Sequence, residues 1–148
     1  MNKHINLALV GASGVVGGKI LKLLERKNIF LSNFYPLGFS SVGNEIKLKN
    51  SRYKITDIKS FDPSNINIAI FCAGSEVAKR YAKSFVNMGI YVIDLSSEYR
   101  YDDDVPLVIP EINGYEIKKL KKPTLIANPN CSVSQLLLAI QPIHEELS

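Results

Sequence analysis

Cys131 is the residue whose neighbours best suit it to nucleophilic chemistry. It closes the loop Asn128-Pro129-Asn130, between the apolar stretch Thr124–Ala127 and a helical pattern beginning at Ser132. Pro129 restrains that loop and biases Asn128 toward an extended backbone. A thiol in the first turn of a helix meets free N–H groups and the positive end of the helix dipole, which favour the thiolate. The same N–H groups, or the Asn130 amide, are positioned to stabilise an oxyanion on an attacked carbonyl. The competing reading is a small apolar side chain in a core, a common place for cysteine. Cys72, inside the run INIAIFC, reads as core or strand end.

A second constellation is Gly11-Ala12-Ser13-Gly14-Val15-Val16-Gly17, which follows a strand-like run and opens a helix. Gly11 allows a tight turn, Gly14 lets a pyrophosphate approach the backbone, and Gly17 permits close packing of helix on strand. The spacing is G-x-x-G-x-x-G rather than G-x-G-x-x-G, so a tight turn without a ligand competes with a dinucleotide site. The expected position of a ribose-binding acid holds Leu37-Gly38-Phe39-Ser40-Ser41-Val42-Gly43 instead. No carboxylate stands there to repel a 2′-phosphate, and two hydroxyls can bond one, which leans toward NADP over NAD. Arg100 ends a third segment, Ile93-Asp94-Leu95-Ser96-Ser97-Glu98-Tyr99-Arg100. It is suited to clamp a phosphate or carboxylate, or else to pair with Asp102, Asp103 or Asp104. His4 and His144 have no metal-like spacing, and no metal site is expected.

These residues need a scaffold that brings strand ends together. Short β-branched runs alternate with helical patterns, which favours a parallel sheet covered by helices. Strands are expected at Ile5–Val10, Asn33–Leu37, Ile66–Cys72, Tyr91–Asp94, Leu107–Ile109 and Thr124–Ala127, and helices at Val15–Arg26, Glu76–Met88 and Asn113–Leu120. Glu45–Leu48 and Arg52–Thr56 read as a hairpin, and a last helix begins at Ser132, bent or ended by Pro142. The fold class is α/β: a Rossmann-like, doubly wound, mostly parallel sheet with helices on both faces. The glycine turn, Arg100 and Cys131 then share the carboxyl edge, where such sheets bind ligands.

Composition narrows the classes further. The 148 residues are 46% apolar and 22% charged, enough for one domain with its own core and unlike a disordered chain. No apolar run approaches the length of a membrane span, and the Met1–His4 start leads directly into a strand without a signal-peptide pattern. Two cysteines make no disulfide framework, so a cytoplasmic setting is expected. The net charge of +4 suits phosphate-bearing ligands but is too small to argue for nucleic acid.

In order along the chain, GASGVVG (11–17), SSVG (40–43), FCAGS (71–75), VIDLSSEYR (92–100), DVPLVIPEIN (104–113) and ANPNCSVSQ (127–135) resemble the N-terminal domain of aspartate-semialdehyde dehydrogenases. The resemblance implies NADP held by Gly11, Ser13, Gly14, Val15 and Val16, with Ser40 and Ser41 near the ribose phosphate and Ala73 and Gly74 beside the cofactor. It implies Cys131 as the acyl-forming nucleophile, with Arg100 and Asn130 binding substrate and phosphate. The implied reaction is reductive dephosphorylation of β-aspartyl phosphate to the semialdehyde, a step toward lysine, methionine and threonine. Three positions depart from the family pattern: Ser40 stands for an arginine, Cys72 for a serine and Leu95 for an asparagine.

The same resemblance divides the chain into a cofactor domain at 1–130 and a nucleophile-bearing helix at 131–148. That helix is expected to lead into a substrate and dimerisation domain that is missing here. The family's histidine base and substrate-binding Arg and Gln come from that domain, so this piece alone is expected to be inactive, and the whole protein a homodimer. Two other readings stay open: an N-acetyl-glutamyl-phosphate reductase with the same nucleophile, and a stand-alone nucleotide-binding module in which Cys131 only packs.

Overall fold

A computed structural model describes residues 4–147; Met1–Lys3 and Ser148, the two ends of the sequence reading, lie outside the described residues. Six strands form one parallel sheet: β1 (Asn6–Val10), β2 (Asn33–Gly38), β5 (Thr56–Asp57), β6 (Ile68–Phe71), β7 (Tyr91–Asp94) and β8 (Leu125–Ala127), in the order β5-β2-β1-β6-β7-β8. The order reverses direction at β1, as in a doubly wound sheet, and β3 (Glu45–Leu48) and β4 (Ser51–Lys54) make a separate antiparallel hairpin.

Alternation along β1 shows how two cores arise from one strand. Leu7 and Leu9 face α1 (Val15–Arg26), whose Leu21 and Leu24 close that side together with Leu48 of the hairpin and Phe34. Ala8 and Val10 face the opposite side, against Ala78, Ala82 and Phe85 of α2 (Ser75–Asn87). Both helices carry their apolar residues at a 3.6-residue spacing, so each covers one face of the sheet. Helices therefore cover both faces, the expected α/β Rossmann-like arrangement. The final helix, α5 (Cys131–Leu147), buries none of its residues. Among the described residues no helix is long and apolar enough to cross a membrane.

Four expectations are changed or narrowed. The strand expected at Leu107–Ile109 is a single bridge from Leu107 to Ala127, because Pro106 and Pro110 cannot donate to a ladder. The helix expected at Asn113–Leu120 is two one-turn pieces, α3 (Pro110–Asn113) and α4 (Tyr115–Lys118), parted at Gly114. Pro142 lies inside α5 without ending it. Its missing N–H and the freed carbonyl one turn earlier are tolerated on a helix that buries no residue fully. The hairpin is also shorter than expected, and Thr56–Asp57 leaves it to pair in parallel with Leu37 and Gly38.

One row of paired residues crosses the sheet at its carboxyl edge. Leu37 pairs with Val10, Val10 with Phe71, Phe71 with Asp94, and Asp94 with Ala127. Every loop bearing a candidate site residue leaves the sheet from that row.

Candidate functional site

Gly11 follows Val10 with a φ of +92°, a conformation that side chains rarely adopt. Its N–H donates to the Leu37 carbonyl at 2.8 Å, and a Cβ there would lie 2.9 Å from the Ala73 nitrogen. Behind it, the Cys72 thiol donates to the Val10 carbonyl at 3.1 Å. The glycine is thus held between the ends of β2 and β6. Gly17 is required one turn later, where a Cβ would collide with the Gly11 carbonyl. Packing alone explains these two glycines. The sign of a ligand is the helix start: α1 has Gly14 as its N-cap, with no side-chain cap and no acid in the first turn. Its first N–H groups, from Val15 and Val16, have no intrahelical partner. Val15 is 80% exposed, unusual for a valine next to a core.

The loop after β2 closes on this cradle. Ser41 and Ser13 share a hydroxyl–hydroxyl hydrogen bond of 2.7 Å, while Ser40 is exposed. The loop after β6 repeats the glycine device: Gly74, at φ +92°, caps α2 without a side-chain bond, and Ala73 packs into the core beside it. Ser75 in the first turn of α2 shares a hydrogen bond of 3.1 Å with Ser97, linking this loop to the one after β7. Two uncapped helix starts therefore face one edge, and the backbone is bare where a dinucleotide would lie. The residues present fit that group.

Asp94, fully buried at the end of β7, organises the next loop. Its carboxylate accepts from the Ser96 N–H at 3.0 Å and the Ser96 hydroxyl at 2.7 Å. That turn sends Tyr99 under α2, where its hydroxyl donates to the Ala78 carbonyl at 3.3 Å and burial pushes its pKa up. Arg100 points the other way. Its Nε donates to the Asn128 carbonyl at 3.0 Å and its Nη2 to the Leu95 carbonyl at 3.3 Å. Among the described residues no carboxylate pairs with it; Asp102 pairs with Lys83 instead, at 3.2 Å. The guanidinium is pinned across the β7 and β8 loops with donors remaining on Nη1 and Nη2.

Cys131 is the first residue of α5 and is exposed. Asn130 caps the helix through Oδ1, which accepts from the Ser132 N–H at 2.8 Å, and its backbone carbonyl accepts from Ser134. The Asn130 Nδ2 is the end that can donate. Neither histidine is close. His144 is thirteen residues along the same helix, roughly 20 Å away at helical rise, and His4 hydrogen-bonds Ser32 at the amino edge of the sheet. Among the described residues no group of three or more His, Cys, Asp or Glu is arranged to hold a metal.

The asset the sequence reading did not identify is Asp94 as the anchor of the Arg100 loop; the Asp-x-Ser spacing of an Asx turn was its signal. A cleft of about 710 Å³ also opens between the start of α1 and the hairpin, lined by Ser13, Gly14, Lys22 and Lys47 among others. Neither Arg100 nor Cys131 lines it.

Residues 6–120 match the model of the semialdehyde dehydrogenase NAD-binding domain family. The aspartate-semialdehyde dehydrogenase of Legionella pneumophila is 40% identical over 146 residues, covering 98% of this chain and 42% of that protein. That of Campylobacter jejuni is 40% identical over 148 residues, covering 98% of this chain and 43% of that protein. The crystal structure of Vibrio cholerae aspartate semialdehyde dehydrogenase II, complexed with ASA, superposes with a TM-score of 0.92. It is 35% identical and is matched over 97% of this chain and 47% of its own. The chain thus spans less than half the length of the relatives it matches.

Proposed function

The chain belongs to the semialdehyde dehydrogenase NAD-binding domain family, and on that premise we propose that it carries the cofactor cradle and the nucleophile of an aspartate-semialdehyde dehydrogenase. In this reading residues 1–130 belong to the cofactor domain and 131–148 to the nucleophile-bearing segment. The observation that carries this reading is the single sheet edge from which the glycine loop, Arg100 and Cys131 all emerge.

Gly11, Ser13, Gly14, Val15, Val16, Ala73 and Gly74 hold the dinucleotide, with Ser40 and Ser41 at its ribose end; NADP is preferred because no acid follows β2. When bound, the dinucleotide supplies a hydride to the acyl carbon. The Cys131 thiolate attacks the acyl carbon of β-aspartyl phosphate and forms a thioester. The bond from that carbon to the phosphate oxygen breaks, and Arg100 holds the departing phosphate through its remaining Nη donors. The Asn130 Nδ2 or the N–H groups of the first turn of α5 bind the developing oxyanion. After reduction the thiolate leaves and the semialdehyde is released. The proton transfers need a base that neither histidine of this chain can provide, so the base comes from elsewhere in the protein, which we place in the cytoplasm as a homodimer.

The test is phosphate-dependent reduction of NADP with aspartate semialdehyde. The protein that carries this chain shows it, and peptide mapping after quenching with substrate finds the acyl adduct on Cys131. The 148 residues by themselves give negligible reduction. Robust turnover by the 148 residues alone, or an adduct on Cys72, overturns the assignment.

A further inference from the structure

The loop after β2 offers a 2′-phosphate hydroxyls but no positive charge, since Gly38 to Asn44 contains no lysine, arginine or acid. Two basic side chains from other elements close on that loop. The Arg80 guanidinium, on α2, lies 5.4 Å from the Tyr81 ring centroid, and the Tyr81 ring meets Phe39 at 5.8 Å. The Lys59 ammonium lies 5.9 Å from the Phe39 ring. Phe39 directly precedes Ser40, so both cations stand at the base of the serine loop. Among the described residues neither takes part in an ion pair. A cavity of about 230 Å³, lined by Phe39, Glu76, Val77, Arg80 and Tyr81, opens at this point.

We propose that Arg80, with Lys59 beside it, binds the 2′-phosphate of the dinucleotide and makes the chain prefer NADP(H) to NAD(H); this rests on the dinucleotide reading above. A guanidinium stacked on an aromatic ring keeps its N–H edge free for a phosphate, which suits Arg80 to the task. Glu76 lines the same cavity one turn before Arg80 and works against it. Its carboxylate repels a phosphate, while it can accept a hydrogen bond from a free ribose hydroxyl. Arg80 and Glu76 are thus opposed determinants of cofactor choice on α2, acting beside the Ser40 and Ser41 hydroxyls of the loop after β2.

NADPH and NADH, followed by their own fluorescence, are titrated against the chain and its variants. Arg80→Ala weakens NADPH binding at least about tenfold and changes NADH binding less than about twofold, since only NADPH carries the phosphate that the guanidinium contacts. Arg80→Lys restores part of the loss, and Glu76→Gln tightens NADPH. Arg80 is exposed, so its alanine variant keeps the fold, and unchanged circular dichroism melting checks this. An equal loss for both dinucleotides marks a packing role and overturns the proposal, as does a wild-type chain that binds NADH more tightly. If NADPH binds and Arg80→Ala leaves it untouched, this inference alone fails. If the wild-type chain binds neither dinucleotide, the cofactor reading falls with it.

Discussion

The crossing from β1 to α1 and the crossing from β8 to α5 leave the same sheet edge but are built from opposite materials. The first uses glycines: no side chain caps the helix, and its first N–H groups stay open. The second uses asparagines: the Ser132 N–H donates to the side-chain Oδ1 of Asn130, and the exposed side chain that follows Asn130 is a thiol. A bare helix start is a place for an anion to sit. A start where a side chain engages one N–H fixes the loop that carries the reactive thiol and leaves the other N–H groups of that turn for the reacting group. The two ends of the proposed reaction are thus distinguished by how each helix begins.

Breaking the second crossing has the largest effect. Cys131→Ser lowers turnover in the protein that carries this chain by at least about 10⁴-fold, while NADPH titration finds dinucleotide binding unchanged. Breaking the first acts on the fold. Gly11→Val forces a branched side chain into a positive φ and against the Ala73 backbone, costing about 3 kcal/mol in urea unfolding.

The two cysteines sharpen the contrast. Burial pushes the Cys72 thiol up to about 11, so near neutral pH iodoacetamide labels it at least about tenfold more slowly than Cys131, as peptide mapping reports. The same shift has a pH signature. The folded chain holds the Cys72 proton more tightly than the unfolded one, so its contribution is full below pH 9 and lost as pH rises to about 11. Melting temperature measured across that range falls less steeply in Cys72→Ala. The smallest effect on stability is that of Asn130→Ala, which costs about 1 kcal/mol of cap stability in the same unfolding assay and leaves NADPH binding alone.

What the sequence revealed and what it hid follow from how local each signal is. The strand, glycine turn and helix from Asn6 to Arg26 were legible because apolar period and turn chemistry lie within a few residues. Thr56–Asp57 was not: a two-residue strand has no alternation to read, and its partner lies across a hairpin. The sequence marks Arg100 as suited to clamp an anion or to pair with a nearby aspartate, and the carbonyls of Leu95 and Asn128 that pin it carry no side-chain signature. The proposed Arg80 pairing with the loop after β2 depends on Phe39 touching Tyr81, a contact between residues 42 positions apart.

The row from Leu37 to Ala127 gives the sheet edge the character of a ruler. Adjacent strands lie about 4.8 Å apart, so Val10 and Ala127, which launch the glycine loop and the thiol loop, stand roughly 14 Å from one another. That interval is set by how many strands intervene, not by what the loops contain. The loops can therefore differ in content while the span between the strand ends that carry them stays constant.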